Sequence, residues 1–323
     1  MTNPLPRRSC HAVIPGDPAQ ACPKRARVGS PYCDAHTRTE QPHPEGARAF
    51  VQEWRGTAAR ALRNVIDRRE HGGLEHDPDL VRALLPLAMP LYSKYWRVDT
   101  YGIDNIPADG PALLAANHSG TLPIDGAMLK VAILREHGRN PWLLAADLAF
   151  KIPGFSDLIR LAGNARADRD ETIGLLRAGE LLGVFPEGFK GIGKGFRKRY
   201  RLQRFGRGGF VEMCMLTGAP IIPVAIIGAE EAYPMVANLE SLARRLGLPY
   251  FPVTPTWPLL GPLGLLPLPS KWIIAFGEPI PFVQYGPKAV RDTQLVLEQT
   301  DAVRQAVQAL IDENLPKRRG AFS

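Results

Sequence analysis

Cysteine is scarce in this chain. Only four occur in 323 residues. Cys10, Cys22 and Cys33 crowd near the N-terminus, and Cys214 stands alone in an apolar helical pattern. That count and placement exclude a secreted disulfide framework and mark Cys214 as a core thiol. Long apolar runs are also missing. The longest, such as Leu84 to Tyr92, are short or broken by proline, so no transmembrane helix is expected. Arg7 and Arg8 are followed by no apolar segment, so no signal peptide is expected. There is no internal repeat and no glycine-rich dinucleotide fingerprint.

What is present fits a globular protein. Hydrophobic residues make up 45% of the chain and mean hydropathy is −0.13, enough for a sizeable core. The net charge of +8 is concentrated in one place. From Lys190 to Arg207 there are eight Lys or Arg and no Asp or Glu. A local basic block implies a local anionic partner: phosphate groups on a substrate, a membrane surface or a nucleic acid.

The pattern divides the chain into three parts. Residues 1–45 are rich in Pro, Arg and Cys, lack periodicity and read as an appendage. Residues 46–95 read as a helical subdomain available for membrane contact. In it Phe50, Trp54, Ala58, Leu62 and Ile66 recur at fours, and Asp77-Pro78 starts a second helix that Pro86 and Pro90 kink or shorten. Residues 96–323 alternate strands and helices, the mark of an α/β domain. Expected strands are 97–101, 112–116, 142–146, 182–185, 221–227 and 272–276. Expected helices are 123–136, 171–178, 209–217, 238–246 and 289–314. The proline-dense, leucine-rich stretch from Tyr250 to Pro269 excludes a long helix. It reads either as a buried wandering loop or as the lining of an acyl tunnel or a membrane contact.

Chemistry concentrates at two strand-to-loop transitions. The first is Asn117-His118-Ser119-Gly120-Thr121-Leu122-Pro123-Ile124-Asp125, where an apolar strand runs into a helix. A histidine held by a carboxylate is a general base able to take a proton from a hydroxyl. Pro123 suits the first helical position, which puts His118 in the loop and Asp125 in the first turn, within folding-back reach of the imidazole. The second transition is Gly183-Val184-Phe185-Pro186-Glu187-Gly188.

Two further blocks, Gly163-Asn164-Ala165-Arg166 and Ile221-Ile222-Pro223-Val224, complete a set of four in order. Over residues 96–285 this set resembles the glycerolipid acyltransferase superfamily, the lysophosphatidate-acyltransferase-like enzymes. One departure stands out: the family pattern puts four residues between its His and Asp, whereas His118 and Asp125 enclose six, as in a divergent branch with an enlarged first block. The resemblance implies an α/β fold with a mixed sheet flanked by helices. It also implies transfer of a fatty acyl group from acyl-CoA or acyl carrier protein to a glycerolipid hydroxyl, with a lysophospholipid such as lysophosphatidate as leading acceptor and mono- or diacylglycerol as second. His118 would be the base and Asp125 its orienting partner, with no enzyme nucleophile. Backbone N–H groups near Gly120 or at the helix start are the expected oxyanion donors. Arg166, Phe185, Pro186, Glu187, Gly188 and Lys190 would contact substrate, Glu187 on the acceptor backbone. Lys190 stands where the family's phosphate-binding Arg occurs, without that residue's bidentate fork. No organic cofactor is implied. A peripheral position on the cytoplasmic face of a membrane is expected.

Rival readings differ in class. With water as acceptor, the same fold is a thioesterase or lysophospholipase. Cys10, Cys22, Cys33 and His36 resemble a Cys3His zinc knuckle, a module that binds nucleic acids or proteins; that reading leaves the four blocks unexplained, so no nucleic-acid partner is expected. A structural zinc ion on those four residues is expected, because forty-five residues of this composition bury too little apolar area to fold alone. Elemental analysis of protein purified without metal-affinity steps should find stoichiometric zinc that disappears in Cys22→Ser/Cys33→Ser. Acyl transfer should survive chelation, because four protein ligands leave no open position. Zinc-free protein with three freely titrating N-terminal thiols would exclude the site.

Overall fold

The computed structural model describes residues 13–14, 17–21, 52–61, 63–64, 78–119, 124–145, 160, 162–245, 247 and 250–322. Cys10, Cys22, Cys33 and His36 lie outside the described residues, as do Gly120 and Pro123. Near the N-terminus β1 (Val13–Ile14) and β2 (Asp17–Ala21) pair antiparallel. Residues 52–61 are helical. Helix α1 (Pro78–Pro90) follows and carries Pro86 and Pro90 inside it. It runs into a π-helical turn, Leu91–Tyr95, a widening expected where proline removes N–H donors from the ladder.

Among the described residues the α/β part holds one sheet of seven strands. In chain order they are β3 (Asp99–Tyr101), β4 (Ala112–Ala116), β5 (Trp142–Ala145), β6 (Asn164–Arg166), β7 (Leu181–Val184) and β8 (Ile221–Ile227), then, after the small hairpin β9 (Ala237–Asn238) and β10 (Pro252–Val253), β11 (Ile273–Phe276). Across the sheet the order is β3-β11-β8-β4-β7-β5-β6. Strands β4 to β8 are mutually parallel. β11 runs antiparallel to β8 and parallel to β3. The expected mixed sheet flanked by helices is therefore present. β4 and β8 are buried along their whole length, which explains their unbroken apolar sequences: helices cover both faces of a parallel sheet.

Alternation along β4 feeds two cores. Leu113 and Ala115 join one with Leu176 of α3 (Arg169–Arg177), Cys214 of α5 (Gly209–Thr217) and Val303 and Val307 of α8 (Thr293–Asn314). Ala112, Leu114 and Ala116 join the other with Leu129 and Ile133 of α2 (Ile124–Glu136), and with Tyr92 and Trp96. Between α3 and α5 lies the four-residue helix α4 (Phe189–Ile192), and after β8 come α6 (Ala229–Ala232) and α7 (Glu240–Arg245). The boundary near residue 95 runs through a shared core, because Tyr92 and Trp96 are both fully buried against the sheet. Asn164–Arg166, read only as a motif, is the edge strand β6.

Lys130 on α2 is buried and donates to the carbonyls of Pro141 (2.8 Å) and Gly163 (3.2 Å), where β5 and β6 begin. Burial lowers its pKa to about 7. The folded value lies below the ordinary one, so above about pH 7 the unfolded chain binds the extra proton, and stability rises with pH. The urea midpoint should climb between about pH 7 and pH 8, below the range where an exposed cysteine thiol titrates. Lys130→Met should flatten that climb.

Candidate active site

The two chemistry-bearing loops leave neighbouring strands on the same edge. β4 and β7 pair in parallel, with Ala115 opposite Val184, so the residues after each strand emerge side by side at the carboxyl end, where open α/β sheets place their sites. Asn117 fixes the exit of β4. Its amide donates to the Ile226 carbonyl at 2.9 Å and accepts from the Ile226 N–H at 2.7 Å, replacing the strand pairing that stops at Ala116.

His118 follows and is held from four directions. Its Nδ1 lies 2.7 Å from Asp125 Oδ2. Its ring stacks on Phe185 with centroids 4.4 Å apart. Its backbone N–H donates to Glu187 Oε1 at 3.1 Å. Gly191 backs it: a Cβ there would sit 2.7 Å from the His118 carbonyl oxygen and 2.8 Å from Glu187 Cβ, so only glycine fits. Asp125 has no exposed surface, against 12% for the His118 side chain. It also accepts from the N–H groups of Ser119 (2.8 Å) and Gly126 (2.9 Å), and three donors are what a buried carboxyl group at a helix start requires. Burial, reinforced by the Asp125 charge, pushes the nearby Tyr250 phenol up to about 12. With Nδ1 engaged, Nε2 is the ring nitrogen left to take a proton.

Phe185 to Gly188 form a tight turn closed by Gly188 N–H to the Phe185 carbonyl at 3.0 Å, and Gly188 adopts φ +55°, which suits a residue without Cβ. Glu187 is buried inside this turn. Besides His118, its carboxylate accepts from Gln203 N–H at 2.6 Å through Oε2. Lys194, only 2% exposed, lies 3.8 Å from that oxygen and 2.7 Å from Glu230 Oε1. Burial pushes both glutamates up, and the Lys194 charge opposes it.

The remaining sequence-identified residues are spread along the same edge. Arg166 ends β6 and is exposed; β7 and β5 separate it from β4, roughly 14 Å at ordinary strand spacing. Lys190 is exposed on α4, beside Gly191. Of the basic block, Lys194 is buried in the carboxylate cluster and the other seven residues are exposed. The Tyr250–Pro269 stretch is not a buried loop: Leu259, Leu263 and Leu266 are 84%, 68% and 63% exposed. Sequence reading missed Lys194 and Glu230 as site residues. Gly228-Ala229-Glu230-Glu231, at the end of a wholly apolar strand, carried the signal that singled out Glu187; Lys194 carried none that set it apart from its basic neighbours.

Comparison with known proteins shows the family. A family model described as Acyltransferase matches residues 97–227, the span from β3 to the end of β8. The chain is 50% identical over 249 residues to an uncharacterized protein of Mycobacterium tuberculosis (strain ATCC 25618 / H37Rv), covering 76% of this chain and 70% of that protein. The chain belongs to the acyltransferase family. Within reach of this acyltransferase is also the human DGAT1/2-independent enzyme synthesizing storage lipids, 28% identical over 220 residues, 67% of this chain and 61% of that protein. The crystal structure of the 1-acyl-sn-glycerophosphate (LPA) acyltransferase PlsC from Thermotoga maritima superposes with a TM-score of 0.48 at 19% identity, covering 75% of this chain and 82% of that chain.

Asp125→Asn tests the His118 clamp. An amide offers one acceptor side where the site presents donors to both oxygens, so either His118 and Ser119 or Gly126 would face an NH2 group. The expected loss is about 10²–10⁴-fold in kcat with acyl-CoA as donor, with the folded state retained by circular dichroism.

Proposed function

We propose that this acyltransferase moves a fatty acyl group from acyl-CoA or acyl carrier protein to a glycerolipid hydroxyl, with a lysophospholipid such as lysophosphatidate as the leading acceptor. The observation that carries this reading is the 2.7 Å contact of His118 Nδ1 with the fully buried Asp125. It leaves Nε2 to accept the proton of the acceptor hydroxyl as its oxygen attacks the thioester carbonyl. Asp125 stabilises the imidazolium that forms. Collapse of the tetrahedral intermediate breaks the C–S bond, and the imidazolium returns its proton to the departing thiolate. No enzyme nucleophile takes part.

The exposed members of the basic block support an anionic acceptor, since Lys190, Arg197, Lys198, Arg199 and Arg201 follow the Glu187 turn. A neutral acceptor, mono- or diacylglycerol, is the second reading, and the storage-lipid synthesis named for the human relative favours it. Among the described residues no helix is long and apolar enough to cross a membrane. The exposed leucines of the Tyr250–Pro269 stretch and the basic block together support peripheral attachment to the cytoplasmic face of an anionic bilayer.

Purified protein incubated with labelled acyl-CoA and vesicles carrying a panel of acceptors should yield an acylated glycerolipid. Flotation with the vesicles should rise with anionic lipid and fall with salt. His118→Ala should cut turnover by about 10²–10⁴-fold or more. Thiol release that needs no acceptor would identify a thioesterase instead, and near-normal turnover in His118→Ala would end the mechanism.

A further inference from the structure

The geometry points to Glu187, Lys194 and Glu230 as positioning residues: a buried carboxylate–ammonium–carboxylate chain that sets His118 for proton transfer, rather than a contact with the acyl acceptor. This inference rests on His118 being the base. Three observations carry it. Both oxygens of Glu187 are already engaged by protein, Oε1 by the His118 N–H and Oε2 by the Gln203 N–H. With no exposed side-chain surface, the carboxylate is closed to a hydroxyl from solvent, and what it holds is the backbone of the histidine itself. Second, Glu187 is not held alone. Lys194 stands between it and Glu230, and its ammonium also donates to the Arg201 carbonyl at 3.1 Å. Glu230 in turn accepts from the Tyr200 N–H at 2.6 Å through Oε2. Third, His118 and Glu187 close in on the same position: a Cβ at Gly191 would lie 2.7 Å from the His118 carbonyl oxygen and 2.8 Å from Glu187 Cβ.

The chain ties three strand ends together. His118 follows β4, Glu187 follows β7 and Glu230 follows β8, the three central parallel strands. Lys194 comes from the loop that crosses above them and bears the exposed basic residues. The Lys194 ammonium opposes the cost of burial at both carboxylates, and removing it would leave like charges unpaired in a dry pocket. One glutamate would then take up a proton, and a protonated Glu187 would hold one N–H well instead of two.

Glu187→Gln is the direct test, with palmitoyl-CoA as donor and lysophosphatidate and diacylglycerol as acceptors. The amide has one acceptor oxygen for two N–H groups, so His118 loses its register. A displacement near 1 Å costs up to about 10²-fold, so kcat should fall about 10–100-fold while acceptor KM stays within about threefold. Lys194→Met should produce the same split, Lys194→Arg should restore most of kcat, and Glu187→Gln/Lys194→Met should be no slower than the slower single variant, because both act through one chain. The low-field Nδ1–H resonance of His118, identified by its loss in His118→Ala, needs no acceptor; it should shift or broaden in Glu187→Gln and Lys194→Met. Where Lys194→Met does not fold, Glu187→Gln and Lys194→Arg carry the test. A raised acceptor KM at unchanged kcat, additive losses in the double variant, or an unmoved resonance would overturn the inference. His118→Ala separates this from the mechanism: if it is inactive while Glu187→Gln keeps full kcat, only the positioning role falls, and if it is active, the base assignment falls first.

Discussion

Asp125 is the constraint from which the rest of the site follows. A carboxyl group with no exposed surface must find donors inside the protein, because unpaired burial of a polar or charged group costs several kcal/mol. It finds them in the His118 ring and in the N–H groups of Ser119 and Gly126. The Gly126 N–H belongs to the first turn of α2, where intrahelical partners are lacking. The same three bonds satisfy the carboxyl group and fix one ring nitrogen of the histidine. The six-residue separation of His118 and Asp125 is therefore compatible with direct contact between carboxylate and imidazole.

That local solution is useful only because the sheet topology brings a second loop to it. β4 and β7 are far apart in sequence and adjacent in space. Their parallel register puts the Glu187 turn against the His118 loop, and the two are joined by one hydrogen bond, one ring stack and one glycine contact. Asn117 makes the equivalent join to β8 through both Ile226 backbone groups. His118 is thus supported on both sides by rigid strands, the kind of support that holds a side chain within tolerance.

Much of the architecture could be read in the residues. Ala112–Ala116 and Ile221–Ile227 match the expected strands residue for residue, because an apolar run bounded by polar or turn residues has one reading in a parallel sheet. β6 escaped because a three-residue edge strand, Asn-Ala-Arg, with only its central alanine buried, shows no period. The His118–Asp125 contact was legible because it is local: a proline ahead of a helix fixes where the carboxylate falls. Lys194 and Glu230 were not, since their meeting depends on two loops crossing above the sheet.

The basic block shows most clearly why charge in a sequence is not charge on a surface. Eight cations in succession suggested one anion-attracting face. The fold divides them. Seven remain exposed, whereas Lys194 turns inward with 2% exposure and spends its charge on two buried glutamates. Tyr200 and Gln203 N–H groups bind those same glutamates, so the loop carrying the exposed cations is anchored at the same carboxylates that hold His118. The positively charged loop and His118 are two ends of one electrostatic arrangement, and the inward lysine joins them.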